Sequence, residues 1–114
     1  MPYLKLKTNK QLSENKKKQV MNDLTSLLVK DLSKPERYIM IECEDEQNMI
    51  FGNSDELLVF IELRSIRLPE EKTGELTKSL TNFVKNNLEI PADRVFINFT
   101  NIQPHMWGFN GSTF

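Results

Sequence analysis

The chain has one cysteine and one histidine in 114 residues. A single cysteine, Cys43, excludes an internal disulfide and any paired-thiol redox motif. A single histidine, His105, excludes a histidine metal cluster and leaves no obvious nucleophile–histidine pair. Four glycines, at 52, 74, 108 and 111, are scattered without the spacing of a phosphate-binding loop. No run approaches the ~20 apolar residues that span a bilayer, and the first residues lack the apolar core of a secretion signal. The expectation is a cytoplasmic protein with no membrane partner. An excess of one charge is also missing, with 15 Lys and Arg against 16 Asp and Glu, so nothing electrostatic points to nucleic acid. Lys16-Lys17-Lys18, beside Glu14 and Asn15, reads as a solvated helix face. Glu42, Glu44, Asp45 and Glu46 lack the Gly and Asn of a cation loop and read as a solvated acidic turn. No metal or cofactor is expected.

What the sequence does contain is a duplication. Val20, Leu24, Leu27 and Leu28 have the spacing of one helical face, and Leu76, Leu80, Phe83 and Val84 repeat it 56 positions on. Pro35 and Pro91 follow the two helices at the same offset, each where proline ends a helix. Ser13 is placed to cap the first helix and Pro69 to open the second. β-like segments flank each helix. Tyr3–Lys7 and Tyr38–Cys43 surround the first, and Leu57–Ile66 and Val95–Phe99 surround the second. The pattern is β-α-β twice, with helices long enough for right-handed parallel crossovers. The expected architecture is a single α+β domain over residues 1–114, repeating at about 1–56 and 57–112. It has two layers, a four-stranded mixed sheet with both helices on one face.

Leu57-Leu58-Val59-Phe60-Ile61 is apolar at every position, which reads as a strand covered on both faces. Two helices cover only one. Self-association through the sheet is the expected cover for the other.

Pro2 carries the chemistry that remains. Initiator methionine is ordinarily removed before proline, and its removal would leave a free secondary amine. The residues that follow form a strand, so the amine is held at a sheet end instead of in a loose tail. An α-amino group titrates at about 7.7–8.0, and desolvation or a nearby cation lowers that value. A shift of about two units, worth roughly 2.7 kcal/mol, leaves a neutral base at physiological pH, as general-base catalysis requires.

Over essentially its whole length the chain resembles macrophage migration inhibitory factor and its relatives in the tautomerase superfamily. The resemblance is carried by Met1-Pro2, Lys34-Pro35 with Tyr38-Ile39, and Met49-Ile50-Phe51-Gly52. It continues through Leu63 with Ser65-Ile66, Asp93-Arg94-Val95-Phe96-Ile97-Asn98 and Asn110-Gly111-Ser112-Thr113-Phe114. It implies a homotrimer of duplicated β-α-β units whose sheets surround a central channel. It also implies a cofactor-free keto–enol tautomerase of phenylpyruvate-like α-keto acids, with Pro2 as the catalytic base. Lys34 matches the lysine that binds the substrate carboxylate and helps keep the amine neutral. From the residues alone, Lys34 reads as a cation complementing the end of a helix. Ser65 and Ile66 match the strand end whose backbone approaches the carboxylate. Asn98 matches a polar residue arriving from the adjacent subunit, and Tyr38 and Trp107 are expected to line the pocket.

Three departures from the family pattern bear on function. Phe96 stands where many relatives have a pocket tyrosine, which removes a hydroxyl donor and keeps an aromatic wall. Trp107-Gly108-Phe109 rearranges the aromatic residues of the tail relative to the vertebrate cytokine. Leu58 and Ile61 replace the CxxC of vertebrate members, which excludes a thiol–disulfide activity. A MIF-like cytokine or protein-interaction module with vestigial tautomerase activity is the alternative function. A small-molecule sensor is a third reading.

Overall fold

The computed structural model describes residues 1–114. In chain order the elements are β1 (Pro2–Thr8), α1 (Glu14–Leu32), β2 (Met40–Glu44), β3 (Val59–Ile66), α2 (Thr73–Leu88) and β4 (Val95–Ile102). A two-residue hairpin follows, β5 (Gly108–Phe109) and β6 (Ser112–Thr113). The main sheet has the order β2-β1-β3-β4. β1 is parallel to β2 and antiparallel to β3, while β3 is parallel to β4. Each β-α-β unit thus forms half of a mixed sheet, joined where β1 meets β3. The fold is the expected α+β architecture.

The duplication extends to the caps. Val20, Leu24, Leu28 and Leu32 are the buried face of α1, and Leu76, Leu80, Val84 and Leu88 are that of α2. All four pairs are 56 positions apart. Ser33 and Glu89, at the same offset, both take the left-handed conformation that ends a helix. The Ser13 hydroxyl accepts from Lys16 N, as an N-cap does. Leu27 and Phe83 are only partly buried, on the flank of the core. Leu4 and Leu6 of β1 and Val59, Ile61 and Leu63 of β3 complete the core from the sheet. Full burial of each such side chain contributes about 1.5–3 kcal/mol before entropy is counted.

Several boundaries differ from the sequence reading. Glu36–Tyr38 forms a 3-10 turn, closed by Tyr38 N donating to Pro35 O at 3.0 Å, so Tyr38 stands ahead of β2 and outside the sheet. Pro69 precedes a separate 3-10 turn, Glu70–Lys72, and α2 begins only at Thr73. β3 begins at Val59, so Leu57 and Leu58 lie outside it.

That last difference corrects the argument from the apolar run. Within β3 the core-facing residues are Val59, Ile61, Leu63 and Ser65, and the open face carries Phe60, Glu62 and Arg64. The neighbouring open-face residues of β1 are Tyr3, Lys5 and Lys7. A charged ladder runs over the middle of this face, with Lys5 Nζ 3.2 Å from Glu44 and Tyr3 OH donating to Glu42 at 2.7 Å. Uncovered apolar surface flanks it, with Ile50, Phe51 and Phe60 exposed at one end and Met40 and Met106 at the other. No helix is long and apolar enough to cross a membrane.

The acidic run is likewise dispersed. Glu42 and Glu44 lie on β2, while Asp45 accepts from Leu12 N at 2.8 Å and pairs with Lys17 Nζ at 3.2 Å. Lys17, from the lysine run, also pairs with Glu14 at 3.0 Å.

Candidate active site

Pro2 is buried as the first residue of β1, directly opposite Ser65 of β3. A β ladder therefore fixes the chain end. Immediately after α1 the backbone turns through Ser33, and this turn directs Lys34 back toward the sheet. Lys34 Nζ donates to Ile66 O at 3.3 Å, and the Ser65 hydroxyl donates to the same oxygen at 3.2 Å. Ser65 is fully buried, so its neighbour's carbonyl satisfies it within the fold. The α-amino group, carried here by Met1, is held below its ordinary value of 8.0. Burial is the larger cause, and the positive charge of Lys34 is the second. Four of the expected site residues, Pro2, Lys34, Ser65 and Ile66, thus meet at one rim of the sheet.

The duplication shows that this arrangement is particular to one half. The residue 56 positions after Lys34 is Ile90, which is buried in the core. Only the first repeat places an ammonium at a strand end.

Tyr38 and Trp107 are both near this end but form two different walls. Tyr38 lies edge-on to Phe109 and Phe114, with ring centroids 6.0 and 6.4 Å away. Phe109 and Phe114 stack on each other at 5.8 Å across the β5–β6 hairpin. Neither phenylalanine was among the expected lining residues; the Trp-Gly-Phe departure in the tail was the available signal. Trp107 instead joins Tyr3, Met40, Arg64, Ile102 and Met106 around an open-face cavity of about 390 Å³. The Tyr3 hydroxyl is pushed up to about 12, first by its hydrogen bond to Glu42 and then by burial.

Phe96 and Asn98 do not join Pro2 within one chain. Phe96 pairs in register with Phe60, which faces Lys7; Asn98 pairs with Glu62, which faces Lys5. Strand geometry puts them about 17 and 10 Å along the sheet from Pro2, and two strands across. Phe96 packs instead on Phe51, with centroids 4.4 Å apart. Arg94 holds that pair in place. It is buried, and it donates to the carbonyls of Phe51, Ser54, Glu56 and Leu57 at 2.8–3.4 Å. Its guanidinium also covers the Phe51 ring at 5.5 Å.

Comparison with known proteins bears on the family and the fold. The family model "Macrophage migration inhibitory factor (MIF)" matches residues 1–114. Macrophage migration inhibitory factor of Xenopus laevis is 34% identical over 115 residues, covering 100% of this chain and 99% of that one. The homolog from Brugia malayi is 31% identical over 116 residues, with coverage of 100% and 99%. Among solved structures, the homologue from Prochlorococcus marinus superposes with a TM-score of 0.91 at 30% identity, covering 98% of each chain. The chain belongs to the macrophage migration inhibitory factor family of the tautomerase superfamily.

Proposed function

We propose that the protein is a cofactor-free keto–enol tautomerase of phenylpyruvate-like α-keto acids, working as a homotrimer after Met1 is removed. The observation that carries this reading is the chain-end amine, desolvated at a strand end beside Lys34. Removal of Met1 shortens the chain by one residue and makes the Pro2 nitrogen the terminal amine, at the head of the same strand. A neutral secondary amine there takes the enol hydroxyl proton as the carbonyl forms. The resulting ammonium then delivers a proton to C3 of the substrate. The exchange is redox-neutral and returns the base to its starting state.

Lys34 takes the substrate carboxylate. An ammonium has three donors, and Ile66 O engages one of them. The bond to Ile66 fixes the direction of the others. Ser65 and Ile66 form the backbone edge beside the carboxylate, and Tyr38 and Trp107 provide aromatic walls. Phe96 and Asn98, separated from Pro2 in their own chain, complete the pocket of a neighbouring subunit. A heterologous contact that closes into a ring of three supplies that geometry. It also covers the exposed cluster of Ile50, Phe51 and Phe60.

A MIF-like signalling or protein-interaction role is the second reading, favoured by the name the frog and nematode relatives carry. Ketonisation of enol-phenylpyruvate separates the two. The tautomerase reading expects turnover that falls sharply in Pro2→Gly, whose chain-end amine is primary and unconstrained, and that is lost in protein retaining Met1. Turnover indifferent to both changes contradicts the assigned base, and partner binding that survives loss of Pro2 favours the second reading.

A further inference from the structure

Arg64 is an exposed charged residue on the open face of the sheet, at the end nearest Pro2. It lies on β3 between Leu63 and Ser65, and in register it faces Tyr3. Alternation along the strand sends Ser65 toward the helices and Arg64 to the open face. There it lines the cavity of about 390 Å³ whose other side chains are Tyr3, Met40, Ile102, Met106 and Trp107. Arg64 is the one charged group in that lining.

The guanidinium has no partner within the chain. Two carboxylates share its face and were available. Glu42 instead accepts the Tyr3 hydroxyl at 2.7 Å, and Glu62, two residues back on the same strand, makes no ion pair with it. The Tyr3 hydroxyl is committed to Glu42, so it does not compete for a ligand. The cavity therefore presents apolar and aromatic walls around one five-donor guanidinium fork. Its position matters because Arg64 is adjacent in sequence to Ser65, which faces Pro2. The rim carrying the chain-end amine thus has Lys34 on its helix side and Arg64 on its open side.

We propose that Arg64 is a second anion anchor, which makes the preferred substrate a keto acid with another carboxylate remote from the reacting end. This rests on the tautomerase reading for turnover, though not for binding. Lys34 holds the carboxylate next to the keto group. The body of the substrate lies against Trp107 and Met40, and its distal carboxylate meets the guanidinium bidentately. A neutral aryl substrate leaves the arginine unused.

Two measurements test this. In the first, 3-(4-carboxyphenyl)propanoate and 3-phenylpropanoate are titrated by calorimetry and by the fluorescence of Trp107, the sole tryptophan. Neither compound can tautomerise, so the result stands even if the protein has no turnover. The expected outcome is tighter binding of the dicarboxylate by about tenfold or more, as a charge-assisted bidentate pair provides. Arg64→Gln should collapse that ratio toward one, and Arg64→Lys should keep part of it. In the second, kcat/KM for the enols of 4-carboxyphenylpyruvate and phenylpyruvate should show the same preference and the same collapse. Equal binding of the two acids by the wild-type protein overturns the proposal, and this arm needs no variant to fold. An equal loss of both acids in Arg64→Gln also overturns it. Absence of turnover with the binding preference intact contradicts the tautomerase reading and leaves the anion anchor standing.

Discussion

The Lys34 ammonium rests 3.3 Å from the Ile66 carbonyl, 32 residues away in sequence and one residue beyond the serine that faces Pro2. This contact ties the end of α1 to the end of β3 at the point where β1 begins. The chain-end amine and the carbonyl are thereby fixed by backbone elements, and the side chain of Lys34 is tied to them by its bond to Ile66. Placing reacting groups on rigid elements is what lets a small protein preorganise a site without a cofactor.

If the pocket spans two chains, two inactive variants should rescue each other. Pro2→Gly replaces the ring-held secondary amine with a flexible primary one, and Asn98→Ala removes the group contributed by the neighbour. Each alone is expected to lose most of its ketonisation rate. Unfolded together and refolded one to one, they form a random population of trimers in which about one site in four overall joins an intact Pro2 to an intact Asn98. Recovery of roughly that fraction of wild-type activity is the expected outcome. No recovery in a mixture shown by mass spectrometry to contain mixed trimers contradicts the shared pocket.

Arg94 should be a large single contributor to stability. Arg94→Met removes the guanidinium that gathers the carbonyls of Phe51, Ser54, Glu56 and Leu57, leaving Phe51 and Ser54 only their mutual backbone bonds and Glu56 its bond from Asn9, and it uncovers the Phe51 ring. A loss of at least about 3 kcal/mol is expected from hydrogen bonds to a buried charge, with Tm lowered by more than about 10 °C. Arg94→Lys should recover only part, because three donors cannot reach four acceptors in a plane. Differential scanning calorimetry checks this; a change under about 1 kcal/mol for the methionine variant contradicts it.

Asp45 should make folding sensitive to acid. Its carboxyl is held below the usual carboxylate range, first by the Leu12 backbone N–H and then by Lys17, with desolvation opposing. A depressed folded-state value stabilises the fold at pH above the unfolded value of about 3.9, and that stability is lost as pH falls through the folded value. Denaturant unfolding of wild type and Asp45→Asn should therefore show a gap that is full near pH 7 and narrows below about pH 4. A gap that stays constant through that range contradicts this role for Asp45.

Much of this was legible in the sequence because the duplication leaves a period to count. The eight buried helix positions recur at one offset, and Pro35 and Pro91 mark both helix ends. Binary patterning could not see a single 3-10 turn, so Tyr38 was read as part of β2; one backbone bond to Pro35 takes it out of the sheet. The run from Leu57 to Ile61 misled for a related reason. Five consecutive apolar residues look like one doubly covered strand, but two of them precede β3 and only Phe60 reaches the open face. The aromatic wall of Tyr38, Phe109 and Phe114 depends on a hairpin folding back over some 70 residues, and no local period encodes that. The separation of Phe96 and Asn98 from Pro2 needed strand register, which fixes their distance along the sheet.

The central claim is that the amine exposed by loss of Met1 is a neutral base at physiological pH. The direct test is a pH titration of the Pro2 nitrogen by 15N NMR, on protein whose intact mass shows Met1 removed. The account predicts a pKa clearly below the ordinary α-amino range of about 7.7–8.0, coinciding with the acid limb of kcat/KM for ketonisation. In Lys34→Ala the value should rise, but only partway, because burial, the larger cause of the lowering at the Met1 amine, remains. A Pro2 amine titrating at or above the ordinary range, or a rate profile that does not follow it, would contradict the account.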